Sequence, residues 1–174
     1  MRPLNLYVGN ILDLRNQAQP ISIVGANKLQ LSTDDTAPLY INNTLVYFAI
    51  SGINYSVTIG ESGLYQINDN IILINSTKLG YIANQGKTMS EKQIQLQVGN
   101  IDSISNKVLN LTGAIKATFI FDSANTQIIN GLRFLPGGGS GPVVITLGDD
   151  RTIINDQLDF TGSTNVGYII ERLI

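Results

Sequence analysis

The densest group of side chains able to do chemistry lies late in the chain, where Asp149, Asp150, Asn155, Asp156 and Asp159 crowd into one short stretch. Carboxylates this close together could ligate calcium or divide acid and base roles in a glycosidase. The EF-hand spacing is not met, and no second Asp/Glu pair is evident. Earlier in the chain Glu61, Asn68 and Asp69 hold corresponding places, so the expected role is a polar turn ahead of a strand. Composition closes off most other chemistry. The 174 residues include no His and no Cys, which excludes Ser-His-Asp triads, Cys-His pairs and zinc sites built on those ligands. An enzyme would have to work through Asp149, Asp150 and Asp156. The expectation is a non-enzyme, with no catalytic, cofactor-binding or metal-binding residue and no cofactor.

Two further motifs invite a binding role. Gly137-Gly138-Gly139 suggests a phosphate cradle, but it lacks the Lys-Ser/Thr ending of a P-loop and opens no helix pattern. Its counterpart is the turn at Ser51-Gly52, so a hairpin connection is expected. Tyr7, Tyr40, Tyr47, Tyr55, Tyr65 and Tyr81 gather in the first half. They could line a sugar-binding face, although a sandwich core or a protein interface suits a ring with a wet hydroxyl better. Sequons begin at Asn42, Asn54, Asn75 and Asn110 and follow from abundant Asn, Ser and Thr.

With 11 basic and 13 acidic residues, the net charge of −2 offers no broad attraction for nucleic acid or an anionic membrane. No apolar run approaches the ~20 residues of a membrane helix, and the start MRPLNLYVGN has no signal-peptide core. The expectation is a protein made in the cytoplasm, with no nucleic-acid or membrane partner. Without cysteine there are no disulfides, and the redox compartment stays open.

The elements that must position these residues are written twice. Leu4 to Ile11 read LNLYVGNI and Ile94 to Ile101 read IQLQVGNI. Gly25-Ala26-Asn27-Lys28 returns as Gly113-Ala114-Ile115-Lys116, and Gly80-Tyr81-Ile82 as Gly167-Tyr168-Ile169. Between these anchors Asp34 falls on Asp122, Ile41-Asn42 on Ile129-Asn130, Gly60 on Gly148, and Asn68-Asp69 on Asn155-Asp156. The offset drifts by only a few residues, as small loop deletions produce. Order and spacing are kept, as a true repeat requires. A unit of roughly 85 residues is marginal alone, so the halves should lean on each other or on neighbouring subunits.

Within each unit the pattern is strand after strand. Ile94, Leu96 and Val98 alternate with Gln95 and Gln97; Ala117, Phe119 and Phe121 alternate around Thr118; Val143, Ile145 and Leu147 match Tyr55, Val57 and Ile59. Turn residues separate these runs. The best helical candidates are Ile11 to Gln17 and Ser163 to Ile174, and the second is β-branched and aromatic enough to be a closing strand. The expected fold is all-β: two tandem β-sandwich domains from an internal duplication, over residues 1–83 and 93–174, joined by a polar linker at 84–92. Equivalent burial is expected for Leu6 with Leu96, Val8 with Val98, Val57 with Ile145, and Tyr81 with Tyr168. An exposed apolar patch or an unpaired strand edge should remain for a neighbour.

The second half runs Val108-Leu109-Asn110-Leu111-Thr112-Gly113-Ala114 into Lys116-Ala117-Thr118-Phe119, then Val144-Ile145-Thr146-Leu147-Gly148, and ends Gly167-Tyr168-Ile169-Ile170-Glu171-Arg172-Leu173. This order resembles the immunoglobulin-like modules at the N-termini of phage baseplate, tail-fibre and head-fibre proteins. There a Leu-Thr-Gly-Ala corner feeds a core strand and a Gly-Tyr opens the last one. The likeness covers about residues 94–173 directly and 4–82 through the repeat, where Ile23-Val24-Gly25-Ala26 departs from the corner. It implies an Ig-like fold and a virion part that docks on capsid, neck or baseplate proteins in many copies, with no catalytic residue. Because the chain ends in strand-like residues at Ile174, an attachment or auxiliary capsid (decoration) role is expected over a receptor-binding fibre. A carbohydrate-binding or adhesin module is the alternative.

Overall fold

Alternation of apolar and polar residues makes strands of more than half of the residues whose structure is described. The computed structural model describes residues 4–10, 23–33, 38–47, 55–61, 64–73, 79–86, 92–139, 141–149 and 151–174. Over these residues the protein is all-β, with no α-helix, and is layered as β-sandwiches are. The first half supplies β1 (Leu4–Asn10), β2 (Lys28–Thr33), β3 (Leu39–Ile41), β4 (Thr44–Tyr47), β5 (Tyr55–Ile59), β6 (Gln66–Ile67) and β7 (Leu79–Gly86). The second supplies β8 (Gln93–Asn100), β9 (Val108–Asn110), β10 (Ala114–Phe121), β11 (Gln127–Ile129), β12 (Leu132–Leu135), β13 (Val143–Leu147), β14 (Gln157–Asp159) and β15 (Val166–Leu173). The segment from Ser163 on thus closes the fold as a strand; Ile11 to Gln17 lies outside the described residues.

Strand order is the same in both halves. The first sheet runs β1-β7-β2-β5 and the second β8-β15-β10-β13, all antiparallel, with β6 joined in parallel to the free edge of β8. Register matches as well: Leu31 faces Val57 and Phe119 faces Ile145, while Gly9 faces Tyr81 and Gly99 faces Tyr168. Each phenol ring lies where a Cβ on its glycine would stand. A mid-strand glycine leaves a gap in the sheet surface, and an aromatic ring across the ladder fills it. The hairpins correspond too. Asn42 and Asn43 have φ of 52° and 59°, and Asn130 and Gly131 have 52° and 74°, the paired left-handed residues of a type I′ turn. Asn42 Oδ1 accepts the Ile72 N–H at 3.1 Å, as Asn130 Oδ1 accepts that of Asp159 at 2.9 Å.

The layers stack as sheet, hairpin, sheet, hairpin, and enclose two cores. The first core joins Leu29, Leu31 and Val57 of the first sheet and Ile41 and Val46 of the β3–β4 hairpin to Ile94, Ile120 and Ile169 of the second sheet. The second core lies on the other face of that second sheet, where Phe119, Phe121, Tyr168 and Ile170 meet Leu109 and Phe160. Phe119 and Phe160 stack tilted at 5.3 Å between centroids. Both faces of the second sheet are therefore covered, and β10 is buried along its whole length.

Equivalent positions are not equally buried, and here the sequence expectation needs correction. Val8 is 70% exposed although Val98 packs at the edge of the first core. Val57 is buried and Ile145 only half-buried, while Tyr81 is half-buried and Tyr168 buried. The pairing that places them is shared; the layer that covers them is not. The expected linker also begins too early, because Asn84, Gln85 and Gly86 pair with Leu6, Asn5 and Leu4 as the end of β7.

Candidate functional site

The acidic cluster does not converge. Asp149 Oδ1 accepts from the Arg151 N–H and the Thr152 hydroxyl, Asp156 Oδ1 from the Gln157 N–H, and Asp159 Oδ1 from the Thr161 N–H at 2.7 Å. Each carboxylate ties down its own turn, the work expected of Asp in such places. The hydroxyl and then the N–H of Thr161 hold the Asp159 carboxyl below the ordinary carboxylate value. Asp150 lies outside the described residues. Among those described, no three acidic groups gather as a metal site would require. Asp149 does border an open hollow of about 470 Å³ with Gly60, Glu61, Lys116 and Arg151.

The glycine-rich loop is no cradle either. Its donors turn inward: Gly139 N–H bonds Ser123 O at 3.1 Å, Gly138 N–H bonds Ala124 O, and the Ser123 hydroxyl bonds Gly141 O. The matching turn at Ser51-Gly52 lies outside the described residues. Of the tyrosines, Tyr65 belongs to the first core and Tyr81 packs against it, which is the core role rather than a sugar platform; Tyr40 is half-buried. Asn42 and Asn110 of the sequons use their side chains on the backbone of their own turns or a neighbouring strand.

The polar chemistry that does converge joins the two halves. Lys116 and Glu171, directly paired across β10 and β15, form an ion pair at 2.8 Å with side chains 9% and 0% exposed. They grip one glycine of the first half: Glu171 Oε2 accepts the Gly60 N–H at 3.0 Å and Lys116 Nζ donates to Gly60 O at 3.4 Å. Gly60 has φ +72°, and its Cβ would meet Asn27 O, so only glycine presents its backbone this way. Nearby, Val46 O lies against Gly167, where a Cβ would clash. At the edge of β8, Asp69 Oδ2 accepts the Leu96 N–H at 2.6 Å and the Asn68 N–H donates to Ile94 O at 3.1 Å. Asn100 Nδ2 reaches Leu45 O at 3.0 Å.

Among the described residues two apolar surfaces remain open, one at each end of the stack. At the second-half end an apolar hollow of about 420 Å³ opens between β11–β12 and β13, lined by Phe121, Ile129, Leu132, Phe134 and Leu147 among others. Leu132 is 74% exposed and Phe134 45%. Of the first-half positions matching this lining, Thr33, Ile41, Val46 and Ile59 are buried and Thr44 is half-buried, because the second sheet caps the first core. At the other end, the outer face of the first sheet carries a shallow depression of about 320 Å³ with Val8, Gln30, Ser32, Gly80 and Ile82 on its walls.

No family model matches the chain, and no curated protein or solved structure matches it. Sequence reasoning missed the Lys116–Glu171 pair and the Gly60 backbone it holds. The one available signal was Gly60 falling on Gly148, since a glycine kept at both places marks a special backbone.

Proposed function

We propose that this protein is a non-enzymatic structural subunit of a phage virion. In this reading, two Ig-like β-sandwich modules, the products of an internal duplication, dock on other structural proteins of capsid, neck or baseplate. Shared strand order, shared register and the repeated Gly–Tyr pairs support the duplication. The resemblance of residues 94–173 to modules of phage fibre and baseplate proteins supports the virion setting. The observation that carries a docking role is the uncapped second core. Its hollow is the unclosed end of a sandwich, lined by Leu132 and Phe134 rather than by convergent polar groups. Such a surface is suited to burial against a partner.

The test is the protein content of purified particles. Mass spectrometry and immunogold labelling of virions should find the chain in many copies per particle. A chain confined to the particle-free lysate would end the virion reading. A glycan array that lights up on a defined sugar would favour the adhesin alternative.

A further inference from the structure

Within the chain, the second sheet closes the first half through a definite set of parts. The β3–β4 hairpin sets Val46 O on Gly167, Gly60 sits between Lys116 and Glu171, and Gln66–Asp69 runs along the open edge of β8. Each part has a counterpart at an end of the molecule, and there each is uncovered. The β11–β12 hairpin answers to β3–β4, with Leu132 and Phe134 exposed in place of Thr44 and Val46. Gly148, with φ +82°, answers to Gly60. Ile153–Asp156 answers to Gln66–Asp69, with Ile153 61% exposed. On the receiving side, Gly80 stands in the place of Gly167, Ile82 of Ile169 and Val8 of Val98, with Lys28 and Asn84 in the places of Lys116 and Glu171. β1 is an edge strand of its own sheet, as β8 would be without β6.

We propose that copies of this chain stack head to tail. The β11–β12 hairpin, Gly148 and Ile153–Asp156 of one copy close on the outer face and β1 edge of the next copy's first sheet, repeating the contact that the two halves make inside the chain. This rests on the reading of the protein as a structural subunit and names one of its partners. The chemistry transfers group by group. The Lys28 ammonium faces Gly148 O, and the Asn84 amide oxygen takes the Gly148 N–H. Asp156 takes the Leu6 N–H, and the Asn155 N–H reaches Leu4 O. Glycine at position 80 is needed for the same reason as Gly167: the hairpin carbonyl lies flat on it. Among the described residues of the free molecule, a Cβ at Gly80 would find only Ser32 O and Gly9 O, at 3.8 and 3.9 Å, and neither demands its absence.

The face that receives the hairpin is more polar than its covered counterpart, with Gln30, Ser32 and Ser56 where the second sheet has Thr118, Ile120 and Val144. Contact between copies therefore comes apart on dilution, whereas the contact within the chain is permanent. The two surfaces differ, so each added copy presents the same pair of ends. The stack closes as a ring or extends as a filament according to the rotation per step.

The chain has no cysteine, so introduced thiols report contacts without background. Ile82→Cys and Phe134→Cys, placed to bring together between copies the equivalents of Ile169 and Val46 in the first core, are mixed and oxidised. A two-chain disulfide species should form in the mixture several-fold above either variant alone. In parallel, light scattering should show the wild-type mass rising with concentration, while Gly80→Ala stays at the mass of one chain with an unchanged melting temperature. A mixture that links no better than the single variants, or a wild type that remains one chain at every concentration, overturns the stacking. Presence of the chain in purified particles would then still uphold the structural role, and absence from particles with stacking intact would remove the virion reading alone.

Discussion

Glu171 is a residue whose loss the structure makes costly. Its carboxylate is fully buried, neutralises Lys116 at 2.8 Å and accepts the Gly60 N–H at 3.0 Å. Glu171→Ala strands an ammonium that is 9% exposed and orphans a buried peptide N–H. Breaking a buried pair from one side costs about 3–5 kcal/mol, a charge left without compensation being the larger part. Since 1 kcal/mol moves the melting point of a 150–250-residue protein by about 2–4 °C, the expected fall is roughly 6–20 °C. Against a total stability of about 5–15 kcal/mol, this is enough to unfold a marginal chain.

The companion variant is Lys116→Met with Glu171→Leu, which removes both charges. Apolar replacement of a whole buried pair is often neutral or gains about 1–4 kcal/mol. Here the Gly60 N–H and carbonyl both lose partners, at about 1–3 kcal/mol each, so mid-range values leave the double variant about 2 kcal/mol below wild type. Urea titration of wild type, Lys116→Met, Glu171→Leu and the double variant closes a double-mutant cycle. The double variant should be more stable than Glu171→Ala. If it loses as much as the two single variants added together, the charges are not coupled and the account of the interface is wrong.

The repeated Gly–Tyr pairs make a graded prediction: Gly99→Ala drives a methyl into the buried Tyr168 ring and should cost about 1–3 kcal/mol in urea unfolding, whereas Gly9→Ala should cost less, Tyr81 being only half-buried. Equal losses would mean that the ring does not fill the glycine gap as described. Burial raises the Tyr168 phenol above its ordinary value, against a smaller opposing effect from the Gln97 hydrogen bond. The phenolate is thus disfavoured in the folded state, and the stability it confers is present below pH ~10 and lost as pH rises through the raised value. Melting temperatures should accordingly drop more steeply at alkaline pH in wild type than in Tyr168→Phe; parallel curves would refute this. Asp159 behaves in the opposite sense, its lowered value giving stability that disappears as pH falls through it. Titration followed by NMR should show its midpoint move back up in Thr161→Ala, and an unmoved midpoint would exclude the hydroxyl as the cause.

Much of the pairing scheme was legible in the sequence because it depends on local pattern. The alternation in Ile94, Leu96 and Val98 makes a strand wherever it occurs, and Asn42 matched to Asn130 marks a left-handed turn residue at both hairpins. Other features depend on what lies above a face, and a one-dimensional pattern does not contain that. Val8 and Val98 are each followed by Gly-Asn and each face an isoleucine across the ladder, Ile82 and Ile169, yet only Val98 has a layer over it. The carboxylates at 149–159 looked like one site because they are close in sequence. Those described do not gather in space, and Asp149, Asp156 and Asp159 each accept the N–H of a residue one or two positions on. Conversely, Lys116 and Glu171 are far apart in sequence and meet only because β10 and β15 are neighbours. A polar pair on opposite strands leaves no periodic trace.

The change from Glu171 to Asn84 at matching positions has a physical logic in the head-to-tail stack. A carboxylate that is buried once, when the chain folds, can be held by a lysine and a peptide N–H for the life of the molecule. At a contact that opens and closes, the same carboxylate would have to shed and regain its water at every cycle, and that desolvation can exceed the attraction of the pair. A neutral amide accepts the same N–H at a far smaller desolvation cost. Lys28, half-buried at the rim, keeps most of its hydration until a carbonyl replaces it. Exposed aliphatic and aromatic side chains at Leu132, Phe134 and Ile153 supply the attraction in place of charge, and they do so without fixing a geometry that must be remade each time. The covered and the open face thus share one backbone design and differ in the groups that decide whether a contact is permanent.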